Sequence, residues 1–262
     1  MSAEHEIHAV RYGTWRTSRH EQYYRYDVYD EPDAPLDMDY FFWVIRSETE
    51  TILVDTGYHP DAIKDRPGRH CVIDPMEAVA ELGVDAEEVS RIVVSHFHFD
   101  HIGNLSKFPN ARLSVQRREF DFWTGPHGGK PAAAASIEQS EVQYIADTAA
   151  DGRVDWLDGD GEVARGITAR LVGGHCPGQQ IVVVDGVRPV VIASDALHFY
   201  EEMERSMPFE VFTDLAGMYD TYDELQRLKD RDAIIVAGHD PLVMERFPAS
   251  LPGNSSLAAR II

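Results

Sequence analysis

Two cysteines, Cys71 and Cys176, are all that 262 residues contain, too few for a disulfide framework to organise a chain of this length. Basic residues are scarce as well: 24 lysines and arginines stand against 45 acidic residues, a formal charge of −21. That field repels nucleic-acid phosphates and anionic membrane surfaces, so neither is an expected partner. Most of the acid reads as a solvated surface. No run of about 18 apolar residues occurs, which leaves no candidate membrane-spanning helix. The opening MSAEHEIHAV lacks the basic segment and apolar core of a secretory signal, so the expected compartment is the cytoplasm. Without a secretory route, the sequon Asn254-Ser255-Ser256 reads as chance.

Other chemistries are missing too. There is no glycine-rich phosphate loop followed by lysine and no Gly-x-Ser-x-Gly, so kinase and serine-hydrolase readings have no anchor. Asp158-Gly159-Asp160-Gly161 resembles a calcium loop only superficially. With its glycine at 161 such a loop needs an acidic ligand where Trp156 stands, so the segment reads as a turn.

What is present is a globular composition, 44% hydrophobic, sufficient for a sizeable core. Aromatic and β-branched residues at 6–15, 40–46 and 51–54 predict strands. A helix is expected from Pro75 through PMEAVAELG, with Gly83 at its C-terminus. Further strands are expected at 92–94, 111–115, 167–172, 181–184, 190–192 and 233–237, and helices at 136–148 and 215–229. The Gly- and Pro-rich stretch 124–135 reads as a mobile loop. Short strands in both halves, with helices between and after them, imply two packed sheets with helices outside, an α+β arrangement. No low-complexity linker divides the chain, so one domain over residues 1–262 is expected.

The chemistry concentrates in Ser95-His96-Phe97-His98-Phe99-Asp100-His101, which follows an apolar strand. The i, i+2 spacing puts His96 and His98 on one side of an extended strand end, and the next turn redirects Asp100 and His101 to a neighbouring point. Clustered imidazoles and a carboxylate have little structural use without a cation. His175 stands in the turn Gly173-Gly174-His175-Cys176-Pro177-Gly178, Asp195 follows the strand 190–192, and His239 follows the strand 233–237. Each potential ligand thus sits at the C-terminal end of a strand, where distant parts of the chain can converge. Cys176, beside His175, reads as a small buried filler.

The ordered pattern H-x-H-x-D-H, then His, Asp and His, resembles the metallo-β-lactamase superfamily at all seven positions: His96, His98, Asp100, His101, His175, Asp195 and His239. The resemblance extends over roughly residues 40 to 240 and includes the Asp55-Thr56-Gly57 turn. It implies an αββα sandwich of two mixed sheets with metals at the sheet edges. It also implies a division of ligands: His96, His98 and His175 on one metal, Asp100, His101 and His239 on the other, Asp195 bridging both. Asp55 is read either as the acceptor that orients a ligating imidazole or as a cap of the turn after Val54. Mixed nitrogen and oxygen ligands suit two Zn2+, with iron or manganese as alternatives. Two such cations acidify a shared water enough to supply hydroxide near neutral pH, and Asp100 can pass the proton to the leaving group.

Within that superfamily, HFHFDHIGN, GGHCPGQ, ASDALHFYEEM and AGHDPLV are most similar to the N-acyl-homoserine lactonase group and related small-molecule lactonases. The implied activity is hydrolysis of a small-molecule lactone. Alternatives are another cyclic amide, ester or thioester, or an iron-dependent sulfur dioxygenase on the same fold. Those lactonases often carry a tyrosine three residues after the bridging aspartate, but this chain has His198 there and Tyr200 two residues later. Either His198 or Tyr200 is expected to donate to the substrate carbonyl. Phe97, Phe99 and Tyr200 also read as core or rim packing. Tyr23, Tyr24 and Tyr26 suit a homodimer arm, a lid or an ordinary strand. The histidines at 5, 8, 20, 59, 70 and 127 belong to no motif and are expected at the surface.

Overall fold

Residues 40–45, Tyr-Phe-Phe-Trp-Val-Ile, are apolar at every position, and only a strand covered on both faces can bury such a run. The computed structural model, which describes residues 5–251, 254 and 256–262, has this arrangement. Ser255, the middle of the sequon, lies outside the described residues.

The first sheet is built from β1 (Glu6–Ser18), β2 (Pro35–Arg46), β3 (Thr51–Val54), β4 (Arg69–Cys71), β5 (Val89–Val93), β6 (Arg112–Gln116) and β7 (Val154–Leu157). The second contains β8 (Gly161–Ala164), β9 (Ile167–Leu171), β10 (Gln180–Val184), β11 (Val190–Ser194) and β12 (Ile234–Ala237), and β13 (Ala258–Arg260) returns to the first. Among the described residues the orders are β13-β1-β2-β3-β5-β6-β7, with β4 on β1, and β12-β11-β10-β9-β8. Both sheets are mixed: β3, β5, β6 and β7 run parallel, as do β11 and β12.

Two-residue periodicity divides the core. Phe41, Trp43 and Ile45 of β2 pack with Ile181, Val183 and Val191 between the sheets. Tyr40, Phe42 and Val44 join Val79, Val142 and Ile145 under the helices on the outer face. The helix Leu215–Asp230 covers the second sheet with Met218, Tyr222 and Leu225, the i, i+4, i+7 stripe its sequence carries. No helix of the described residues is long and apolar enough to cross a membrane.

Several expectations shift. The helix read at 136–148 runs Gln139–Ala150, because the Ser136 carbonyl accepts from Phe99 N–H at 2.9 Å instead of entering a helix. The stretch 124–135 is not simply loop: it contains the one-turn helix Pro131–Ala134. Tyr23 and Tyr26 form neither a strand nor a projecting arm. They are buried with Met38, Phe199, Met207 and Phe209 in a third apolar cluster, since Tyr23 bridges to Phe209. His8 is buried rather than at the surface, its Nδ1 2.8 Å from Ser250 Oγ, and burial lowers its pKa.

Candidate metal centre

Three strands end side by side, and a polar network ties their ends together. Asp55 follows β3, Ser95 lies just beyond β5, and Ser194 closes β11. Ser95 donates to Asp55 through its backbone N–H (2.8 Å) and its hydroxyl (2.7 Å), and Ser194 Oγ stands 2.9 Å from Ser95 Oγ. Asp55 and Ser194 both adopt positive φ, 63° and 47°. Such backbone is costly for non-glycine residues and persists only where surrounding structure holds it.

On this base the chain sets its imidazoles. His96 follows Ser95 directly, and its Nδ1 lies 3.0 Å from Ser95 Oγ. His98 opens the one-turn helix Phe99–Ile102, which carries Asp100 and His101. Tyr12 Oη donates to the Asp100 carbonyl at 2.6 Å, and Thr56 N–H to the His101 carbonyl at 2.7 Å. His175 arrives on the turn after β9, where Gly174 has φ 79° and a Cβ would lie 2.8 Å from Met218 N. Asp195 and His239 follow the parallel pair β11 and β12.

The distances divide the ligand candidates into two groups around one carboxylate. Asp195 Oδ1 lies 3.0 Å from His239 Nε2 and 3.1 Å from His101 Nε2. Its Oδ2 lies 3.4 Å from His175 Nε2 and 3.6 Å from His96 Nε2. His98 Nδ1 approaches His175 Nε2 to 2.9 Å, and Asp100 Oδ2 faces His101 and His239 at 3.5 and 3.7 Å. All seven side chains are buried.

Each imidazole is held at one nitrogen and turned inward with the other. Nδ1 of His101 is held by Asp55 at 2.8 Å, that of His175 by the Val211 carbonyl at 2.7 Å, and that of His239 by the Asp39 carbonyl at 2.8 Å. His98 is held at Nε2 by Cys176 Sγ, 3.4 Å away. The inward Nε2 atoms of His96 and His101 are buried with no hydrogen-bond partner. Orphaned inward nitrogens with fixed outer ones are what a metal shell requires, so the residues fit a pair of cations. Burial also pushes His96 well down and His98 to about 4, favouring the neutral ligand form. At Asp195 and Asp100 burial opposes ionisation, but the surrounding histidines outweigh it and keep both carboxyls below their usual range.

The two residues expected to donate to substrate part company. His198 stands with His175 and Asp195, its Nε2 3.2 Å from Asp195 Oδ2 and its ring stacked on Phe209 at 3.6 Å. Tyr200 must be corrected: its hydroxyl donates to the Ile235 carbonyl at 3.2 Å, and Arg246 covers its ring. It opens the helix Tyr200–Arg205, and its hydroxyl is aimed at β12, away from the cluster. Asp55 proves to be the imidazole-orienting acceptor. Phe97 is core, whereas Phe99 lines the cavity.

That cavity, about 280 Å³, opens on His98, Asp100, His175, Asp195 and His198. Its remaining wall includes Trp15, Met38, Tyr40, Arg66, Arg69, Ser136 and Phe209, none of which carries a motif. Glu119 was equally inconspicuous. Buried, it accepts from Phe97 N–H (3.0 Å), Gly178 N–H (2.7 Å) and Trp123 Nε1–H (2.6 Å), locking the His96–His98 loop to the His175 turn. Its i, i+4 spacing from Trp123 was the only local signal.

A model of the metallo-beta-lactamase superfamily matches residues 38–239, the span that contains this entire cluster. The chain belongs to that superfamily. Among curated proteins, the N-acyl homoserine lactonase AttM of Rhizobium radiobacter is 30% identical over 185 residues, 66% of each chain. The chain thus matches about two thirds of that relative's length. An N-acyl homoserine lactonase of Bacillus sp is 25% identical over 228 residues, 80% of this chain and 84% of that one. Among solved structures, a quorum-quenching N-acyl homoserine lactone lactonase superposes with TM-score 0.72 at 21% identity, covering 92% of this chain and 94% of that one. AidC, a dizinc quorum-quenching lactonase, gives 0.71 at 19% identity over 92% and 89%. These two structures establish the sandwich fold.

Proposed function

We propose that this metallo-beta-lactamase superfamily member is a dinuclear zinc hydrolase that opens the ring of an N-acyl homoserine lactone or a related small lactone. One observation carries the reading: the two oxygens of Asp195 face two different groups of inward imidazole nitrogens. The lactonases among its relatives supply the substrate class.

His96, His98 and His175 would hold one cation and Asp100, His101 and His239 the other, with Asp195 shared. When bound, the pair supplies Lewis acidity, acidifying water and polarising an ester carbonyl. The chain does the rest. His198 lines the cavity with its Nε2 free of hydrogen bonds, at the position where related lactonases carry a tyrosine, and donates to the substrate carbonyl. Asp100, ionised at rest, lines the same cavity, takes up the proton released by the attacking water and passes it to the leaving alkoxide oxygen. Phe99, Met38 and Phe209 give the ring an apolar bed. We place the protein in the cytoplasm, whose reducing conditions suit unpaired Cys71 and Cys176.

The test is a zinc-loaded screen against lactones, cyclic imides and thioesters, following proton release near neutral pH. Lactone opening is expected, abolished by chelator and by His96→Ala. His198→Ala lowers kcat about 10- to 100-fold, while Tyr200→Phe stays within about twofold of wild type. Full activity in verified metal-free protein, or one iron per chain with thiol-dependent oxygen uptake, would overturn the reading.

A further inference from the structure

The geometry points to an anion subsite at Arg69, so that among the small lactones proposed above this cavity selects one that carries a carboxylate of its own rather than an uncharged N-acyl homoserine lactone. The inference deepens the lactonase reading and rests on it for the ring, though not for the anion.

Arg69 is placed by a strand pairing. It stands opposite Trp15 in the β1–β4 register, and its guanidinium lies 4.0 Å from the centre of the Trp15 ring. The preceding Gly68 has φ 83°, and a Cβ there would lie 2.8 Å from Trp15 Nε1, so only glycine lets this backbone close on the indole. Arg69 Nε donates to the Tyr40 hydroxyl at 3.0 Å. Tyr40 is itself buried with its ring edge-on to His239, 5.1 Å between centroids. One tyrosine therefore connects the guanidinium to the metal cluster, and both line the cavity.

The terminal nitrogens of Arg69 are uncommitted. Among the described residues it forms no ion pair and no hydrogen bond beyond the one to Tyr40. Elsewhere in this acidic chain arginines find carboxylates easily: Arg19, Arg66, Arg91, Arg112 and Arg205 each have one at 2.7 Å or less. Arg66 is the instructive neighbour, since it lines the same cavity but is spent on Glu138 and the Ala135 carbonyl. A guanidinium fixed by an aromatic face and left with two parallel donors is built for a planar oxyanion. Glu21 and Glu210 line the cavity from other segments and repel an anion there, which leaves the Arg69 corner to receive it.

The experiment compares γ-carboxy-γ-butyrolactone with γ-methyl-γ-butyrolactone. Each takes up one water across its acyl C–O bond, giving 2-hydroxyglutarate and 4-hydroxypentanoate. Wild type is expected to favour the carboxylated lactone in kcat/KM by about 30-fold. Arg69→Met removes that preference through KM, raising it far more for the carboxylated lactone than for the methyl one, and Arg69→Lys restores part of it. Calorimetric binding of the two ring-opened acids to zinc-loaded protein gives a readout without turnover: wild type prefers 2-hydroxyglutarate by at least about tenfold, and Arg69→Met levels the two. Equal loss on both lactones in Arg69→Met would mean that Arg69 only supports Trp15, and would overturn the subsite. Opening of the methyl lactone without discrimination in either measurement sinks the subsite and spares the lactonase reading. Discrimination in binding with neither lactone opened does the reverse.

Discussion

The two walls of the cavity are built differently. The inner wall consists of His98, Asp100, His175, Asp195 and His198, carried just past the ends of β5, β9 and β11, and behind it Asp55, His96 and His239 are fixed by backbone register and by buried hydrogen bonds. The outer wall consists of side chains borrowed from separate segments: Trp15 of β1, Arg66 and Arg69 around β4, Ser136 before a helix, and Phe209 after one. The inner wall is rigid because strand ends are held on both sides, and it suits chemistry in which every ligand must be held closely in place. The outer wall varies with loop path, and it suits the choice of substrate.

Glu119 offers the hardest blow to the inner wall. Glu119→Ala leaves two backbone N–H groups and one indole N–H buried without a partner, an expected loss of about 3 kcal/mol in denaturant unfolding. A loss below about 1 kcal/mol would mean that the two loops hold each other without it. Asp55→Asn acts more selectively. It weakens the acceptor behind His101 while keeping its shape, and chelator competition should read a 10- to 100-fold drop in metal affinity with the fold retained. Unchanged affinity would reduce Asp55 to a turn cap.

The smallest effect sharpens the contrast from the side of the outer wall. Glu141 lies on the helix Gln139–Ala150 that follows Ser136, with Oε2 buried and unpartnered. Burial, aided by Glu138 and opposed by Lys107, pushes its carboxyl from 4.5 up to about 7. The folded state therefore holds this proton more tightly than the unfolded one. Stability should fall as pH rises from about 4.5 to about 7 and stay lower above that. Glu141→Gln flattens the slope and adds about 1 kcal/mol at pH 8, an amount already reduced for solvent screening. A thermal-melt series across that range checks it, and an unchanged slope in the variant would assign the pH dependence to other groups.

Legibility followed the same division. The strands at 51–54 and 190–192 and the helix from Pro75 were readable because two- and 3.6-residue periodicities are local. β4 and β13, three residues each, were not, since their pairing with β1 is a contact between distant segments. The inward position of His198 and the outward one of Tyr200 turn on where the helix Tyr200–Arg205 begins, which the pattern ALHFYEEM does not reveal. Glu119 and Arg69 carried no motif, because their partners, Trp123 apart, are 22 to 59 residues away, and Cys176, although it stands in GGHCPGQ, gave no sign of its contact with His98, 78 residues off.

By itself the sequence determined the superfamily and the seven inward ligand candidates, because short spacings at strand ends constrain where those side chains can go. Only the tertiary structure decided which nitrogen of each imidazole faces inward, that Tyr200 stays out of the site, and that the Arg69 guanidinium, without an ion pair among the described residues, borders it. Those are matters of register and loop path between remote segments, and no local pattern encodes them.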